Sequence, residues 1–206
     1  MAFPTILVTH KQSAFARHAQ LLGCSVSDLS ETASSKEPCD ALFWEMACMR
    51  DVVMRNKTIG ALLKATKGCT RILDFNLDNI QPADQDIISE SLACCDLLRI
   101  EKQDILAIGK LLEVGAPYIF DSCFDLMARF DIKTLILNHS NHGCHVFQGN
   151  VVSEKRGQLT FGKHLVKEAE GAFTAAYYVA SCKKDALFTE YHCKALNYLK
   201  GFLDAQ

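Results

Sequence analysis

From Ala41 to Leu137, short apolar runs alternate with stretches of helical periodicity, and this alternation constrains the fold more than any other feature of the chain. The runs are 41–44, 70–75, 96–100 and 134–137, lengths that suit strands and are too short for helices. Between the first two, Val52, Val53, Ile59, Leu62 and Leu63 recur at helical spacing, and Gly68 supplies a stop. Pro82 opens a helix to about Cys95, because a proline's missing donor costs nothing in a first turn. Residues 102–114 and 118–129 predict two more helices. Residues 144–147 and 150–152 predict a hairpin around Gln148-Gly149, and 171–182 and 186–203 two closing helices. Apolar strands interleaved with helices imply a mostly parallel sheet covered on both faces.

The chain has 206 residues, 49% of them apolar, enough for a core in one α/β domain spanning 1–206. The polar stretch Ser30–Pro38 sets off an N-terminal segment (1–37) in which Thr5–Thr9 reads as one strand. A net charge of −2 argues against a basic nucleic-acid footprint. No run of 18 apolar residues predicts a membrane span, and the first residues lack the basic and apolar regions of a secretory signal. Ten cysteines without a Cys-x-x-Cys then read as reduced, mostly buried thiols of a cytoplasmic protein.

In parallel sheets ligands bind beyond the carboxyl ends of the strands. Four loops fall there: Asn76–Asn79, Glu101 with Asp104, Asn138–Gly143, and Lys167–Phe173. Taken in order, they resemble the ribokinase/PfkB-type carbohydrate kinases over roughly residues 40–185. Asp74-Phe75-Asn76 stands where that family often has Asp-Pro-Asn. The segment 99–104 (Arg-Ile-Glu-Lys-Gln-Asp) stands at its Lys-x-Asn-x-x-Glu, and 137–143 at its nucleotide loop. Glu168-Ala169-Glu170-Gly171-Ala172-Phe173 stands at its Gly-Ala-Gly-Asp-Ala-Phe helix start. The resemblance implies a ribokinase-like fold short of the family's first strands and most of its lid.

It also implies ATP and Mg²⁺ as cofactors and phosphoryl transfer to a sugar hydroxyl. Asn76, Asn138, Ser140, Gly143, Ala169 and Gly171 would lie at the nucleotide, and Asp104 near the metal through water. The residues depart from the family where the chemistry is densest. Gly171 occupies the place of the aspartate that accepts the hydroxyl proton, and a glycine cannot act as a base. Glu168 and Glu170 replace glycines whose amides would hold phosphate. A carboxylate at ~5 Å from a phosphate repels it by on the order of 3 kcal/mol in an effective dielectric of about 20. No catalytic residue is therefore assigned, and phosphoryl transfer is expected to be impaired or lost. The alternative is an active, divergent kinase that uses Glu170 or Asp104 as base and a partner chain to complete the acceptor site. The short front also leaves a sheet edge that residues 1–37, a second copy or a partner would cover.

Each of these residues also has a structural reading. Acids at strand ends and helix starts satisfy the helix dipole without any ligand. His139, His142, Cys144 and His145 have metal-type spacing, but Cys144 and His145 alternate faces on a strand and read as solvated histidines beside a buried thiol. Cys123 with His192 suggests a thiol nucleophile only if the fold brings them together. Trp44 and one of Cys94-Cys95 read as core.

Overall fold

The computed structural model describes residues 3–29, 39–65, 68–139, 143–154 and 161–206. Eight strands form one sheet: β1 (Thr5–Val8), β2 (Ser25–Asp28), β3 (Ala41–Glu45), β4 (Thr70–Asp74), β5 (Leu97–Glu101), β6 (Thr134–Asn138), β7 (Cys144–Gln148) and β8 (Val151–Glu154). Their spatial order is β2-β1-β3-β4-β5-β6-β7-β8. The first six are parallel, and β7 and β8 continue the sheet antiparallel as a hairpin. The hairpin turns at Gly149-Asn150, where Gly149 has φ 56, one residue later than the expected Gln148-Gly149.

Successive strand residues face opposite layers, and the two layers are built by different helices. Leu42, Trp44, Leu73, Leu98, Leu135 and Leu137 face one side, which is covered by α2 (Val52–Lys64), α3 (Gln85–Ala93), α4 (Lys102–Leu111) and α5 (Ile119–Phe130). Ala41, Phe43, Ile72, Leu97 and Ile136 face the other, under α1 (Ala14–Leu21), α6 (Val166–Ser181) and α7 (Phe188–Asp204). Trp44 is buried in the first layer, as expected, and Cys95 is buried there too while Cys94 is half-exposed.

Two elements differ from the sequence expectation in ways that shape the site. The N-terminal segment supplies more than one strand. Ser13 caps α1 by accepting from the Ala16 N–H at 3.2 Å, and the helix returns the chain so that β2 pairs with β1. The front of the sheet is thus extended by two strands, with β2 at one end of the strand order and β8 at the other. Helix α6 begins at Val166, not at 171. Glu168 and Glu170 are strong helix formers, whereas glycines would have kept the turn open, so the residues expected to precede the helix lie inside it.

Candidate functional site

A cleft of about 300 Å³ opens at the carboxyl ends of β3, β4 and β5. Its floor is made by the last residue of each strand, Glu45, Asp74 and Glu101, together with Asn76, Asp78 and Asp104. One wall is the start of α1, from Gln12 to Arg17, and the other is the first two turns of α6, from Lys167 to Gly171. The two walls touch. A Cβ built on Gly171 would lie 2.4 Å from the Ala14 Cβ and 2.6 Å from the Phe15 amide nitrogen. Only glycine permits this approach, because real Cβ contacts stay well outside such distances.

Seven carboxylates line the cleft (Glu45, Asp74, Asp78, Glu101, Asp104, Glu168 and Glu170) against three cationic side chains, Arg17, Arg99 and Lys167. Arg99 is 4% exposed and organises the floor. It donates to Asp74 at 2.6 Å, pairs with Glu170, and lies 3.9 Å from Glu101. Its Nε and the Glu170 Oε1 have no hydrogen-bond partner among the described residues. Glu168 is held by Arg17 and by the buried His18, whose Nε2 lies 3.0 Å from the carboxylate and whose Nδ1 lies 2.9 Å from the Tyr198 hydroxyl. Burial pushes the His18 pKa down from 6.5, and Glu168 opposes that shift. Burial raises the Glu45 carboxyl, with Asp74 adding to the effect. Asp104 is pushed up to about 6, first by burial and then by Glu101. A carboxyl in a cleft that exchanges its proton near neutrality is the kind of group acid–base chemistry uses.

The residues singled out from the sequence fall into two places. Asn76, Asp104 and Gly171 line the cleft. Asn76 is engaged by the protein itself: it accepts from the Ala47 N–H at 3.0 Å and donates to Glu45 at 3.3 Å. Asn138, Gly143 and Ala169 line a smaller apolar pocket with Cys144, Phe173 and Leu199, and Glu170 borders both pockets. Asn138 is buried, and its Nδ2 has no hydrogen-bond partner among the described residues. Ala169 and Gly171 lie in the first two turns of α6, where amides from the fourth residue on bond carbonyls four residues back. Ser140 lies outside the described residues, as does His142.

Among the described residues, the histidine cluster does not assemble around one point. His145 Nδ1 lies 2.8 Å from His139 Nε2, whereas Cys144 turns inward to His192 at 3.5 Å. Cys123 and His192 are in opposite layers, so the thiol-nucleophile pairing is ruled out: Cys123 is in the layer of α2–α5, and His192 packs on Phe173 in the other. One group was missed. His10, Glu45 and Cys48 offer an imidazole, a carboxylate and a thiol within 4.8 Å of one another at the cleft's edge, a donor mixture zinc accepts. The strand-end rule, applied to β1 and β3 as well as to the later strands, would have found it.

No protein-family model matches the chain, and no curated protein matches its sequence. Solved structures do. Fructokinase from Vibrio cholerae, with fructose, ADP and calcium bound, superposes with a TM-score of 0.64 at 15% identity, over 85% of this chain and 56% of that one. The fold is ribokinase-like. Aminoimidazole riboside kinase from Salmonella enterica gives 0.61 at 11% identity over 96% and 75%. Adenosine kinase from Trypanosoma brucei brucei gives 0.61 at 8% over 80% and 52%. The chain thus spans little more than half the length of the fructokinase it matches.

Proposed function

We propose that this ribokinase-like chain does not transfer phosphate efficiently from ATP to a sugar hydroxyl. The observation that carries the reading is the start of α6. There the position matched to the family's proton acceptor is Gly171, and α1 fills the space a side chain would need. The glutamates at the two replaced glycines are engaged by the protein itself, in ion pairs with Arg99 and Arg17 and a hydrogen bond with His18. The residues present do not suit a triphosphate, since seven carboxylates and three cations line the cleft that would receive it. Asp104 and Glu101 would suit a hydrated divalent cation better than a phosphate. Incubated with Mg-ATP and a panel of sugars, sugar acids and nucleosides, the protein is expected to release no phosphorylated product above background; turnover on any of them overturns this reading. Calorimetric titration with Mg-ATP separates a surviving nucleotide site from an inert scaffold.

One observation favours a second reading. Asp104 lines the cleft with its pKa raised to about 6, and could replace the missing base if a partner chain completed the acceptor site. Glu170 suits that role less well, being buried against Arg99. If the chain turns over, Asp104→Asn should lower kcat by about 10²-fold or more while Glu170→Gln keeps most of it. The reverse order would move the base to Glu170.

A further inference from the structure

The two central parallel strands β3 and β4 are each entered through a cysteine. Cys39 lies two residues before β3, and Cys69 immediately before β4. Their Sγ atoms are 3.6 Å apart. The contact is fixed by the sheet. The Thr70 N–H donates to the Asp40 carbonyl at 2.8 Å, and the Asp40 N–H donates to the Thr5 carbonyl at 2.8 Å. Both backbones are therefore held at the residues adjoining the pair, and neither sulfur sits on a free loop. The pair lies at the amino-terminal edge of the sheet, opposite the cleft.

We propose that Cys39 and Cys69 form a redox modification site, which a low-molecular-weight disulfide such as oxidised glutathione closes into a Cys39–Cys69 bridge. The two thiols are unequal. Cys39 is half-exposed and accessible to an oxidant, while Cys69 is buried beneath it. The thiol–thiol hydrogen bond favours a thiolate on Cys39, the attacking form, while burial and, less strongly, Asp40 work against it. The Cys39 thiolate attacks one sulfur of the oxidant, forming a mixed disulfide and expelling one glutathione thiolate. Cys69 then gives up its proton to solvent, and its sulfur attacks the Cys39 sulfur and expels the second glutathione thiolate. The protein loses two protons and two electrons; the oxidant accepts the electrons and leaves as two reduced thiols. The sulfurs must close from 3.6 Å to about 2.05 Å, a movement within reach of side-chain rotation between anchored backbones. The bridge would join positions 30 residues apart and enclose β3 and α2. Restricting the unfolded chain in this way raises stability.

The test incubates the full chain with oxidised glutathione, blocks remaining thiols by alkylation, and maps tryptic peptides by mass spectrometry. A cross-linked peptide joining Cys39 to Cys69, lighter by two hydrogens and split by dithiothreitol, is expected. The oxidised protein should melt about 5–10 °C higher than the reduced one. Cys69→Ser should arrest the reaction at a glutathione adduct on Cys39, and Cys39→Ser should leave Cys69 unmodified. Full alkylation of both thiols after oxidation, a bridge to any other cysteine, or the same melting shift in Cys39→Ser overturns the proposal. Should either variant fail to fold, the peptide map and melting shift of the unsubstituted chain decide the matter alone.

Discussion

Asp104 shows how one side chain records the strain of a crowded cleft. Its folded pKa of about 6 lies above the 3.8 of an unhindered aspartate, so folding penalises the charged form. The stability it contributes is therefore lost as pH rises from 3.8 to 6 and is absent at neutrality. Asp104→Asn should stabilise the protein by about 1–2 kcal/mol at about pH 7.5, and the gain should vanish by about pH 4, as read by denaturant melts. His18 has the opposite sign. Its folded pKa is lowered below 6.5, so its contribution is present above that value and lost as pH falls below it. Acid melts below about pH 6.5 should lose stability, and His18→Gln should flatten that slope. At Gly171 an added methyl meets the backbone of α1, so Gly171→Ala should cost about 2–3 kcal/mol, and Gly171→Asp more. Asp104 was legible in the sequence as an acid just after a strand. Its raised pKa was not, because the burial that chiefly raises it, and the approach of Asp78 and Asp74, arise only in the folded chain. His18 carried no sequence signal: its partners are 150 and 180 residues away.

Among the elements, the long apolar ones were legible and the short polar ones were not. Strands β3 to β6 are each built on an apolar centre (Leu-Phe-Trp, Ile-Leu, Leu-Leu and Leu-Ile-Leu), and those centres mark them as buried on both faces. Strand β2 is Ser-Val-Ser-Asp, and only its parallel pairing with β1 makes it a strand. Helix α1 buries Phe15, Ala16 and Ala19, too few apolar side chains to stand out from the loop around them. The early start of α6 was missed for a different reason. Reading a glycine-rich turn onto 168–171 carried over its shape, although the glutamates there favour helix. Placing glycine at both positions, Glu168→Gly with Glu170→Gly, should remove about 1 kcal/mol of helix propensity per site and release Arg99 and His18 from these partners. Circular dichroism should show less helix, and melting should fall by more than propensity alone predicts.

At the scale of the whole molecule, the N-terminal segment belongs to the domain as much as any later element. Helix α1 packs Phe15 face to face on Phe43 at 4.1 Å and closes over α6, while β1 and β2 extend the sheet. Deleting residues 1–29 would uncover β3 and the Gly171 face together, and the remainder should fail to give a cooperative thermal transition by calorimetry. The alternation of strands and helices foretold the two-layered sheet but not this closure, which depends on one glycine lying against a helix more than 150 residues earlier. That contact also sets an order on any change at this position. An acidic side chain placed at 171 would find its room already taken, so accommodating one would require α1 to move aside first.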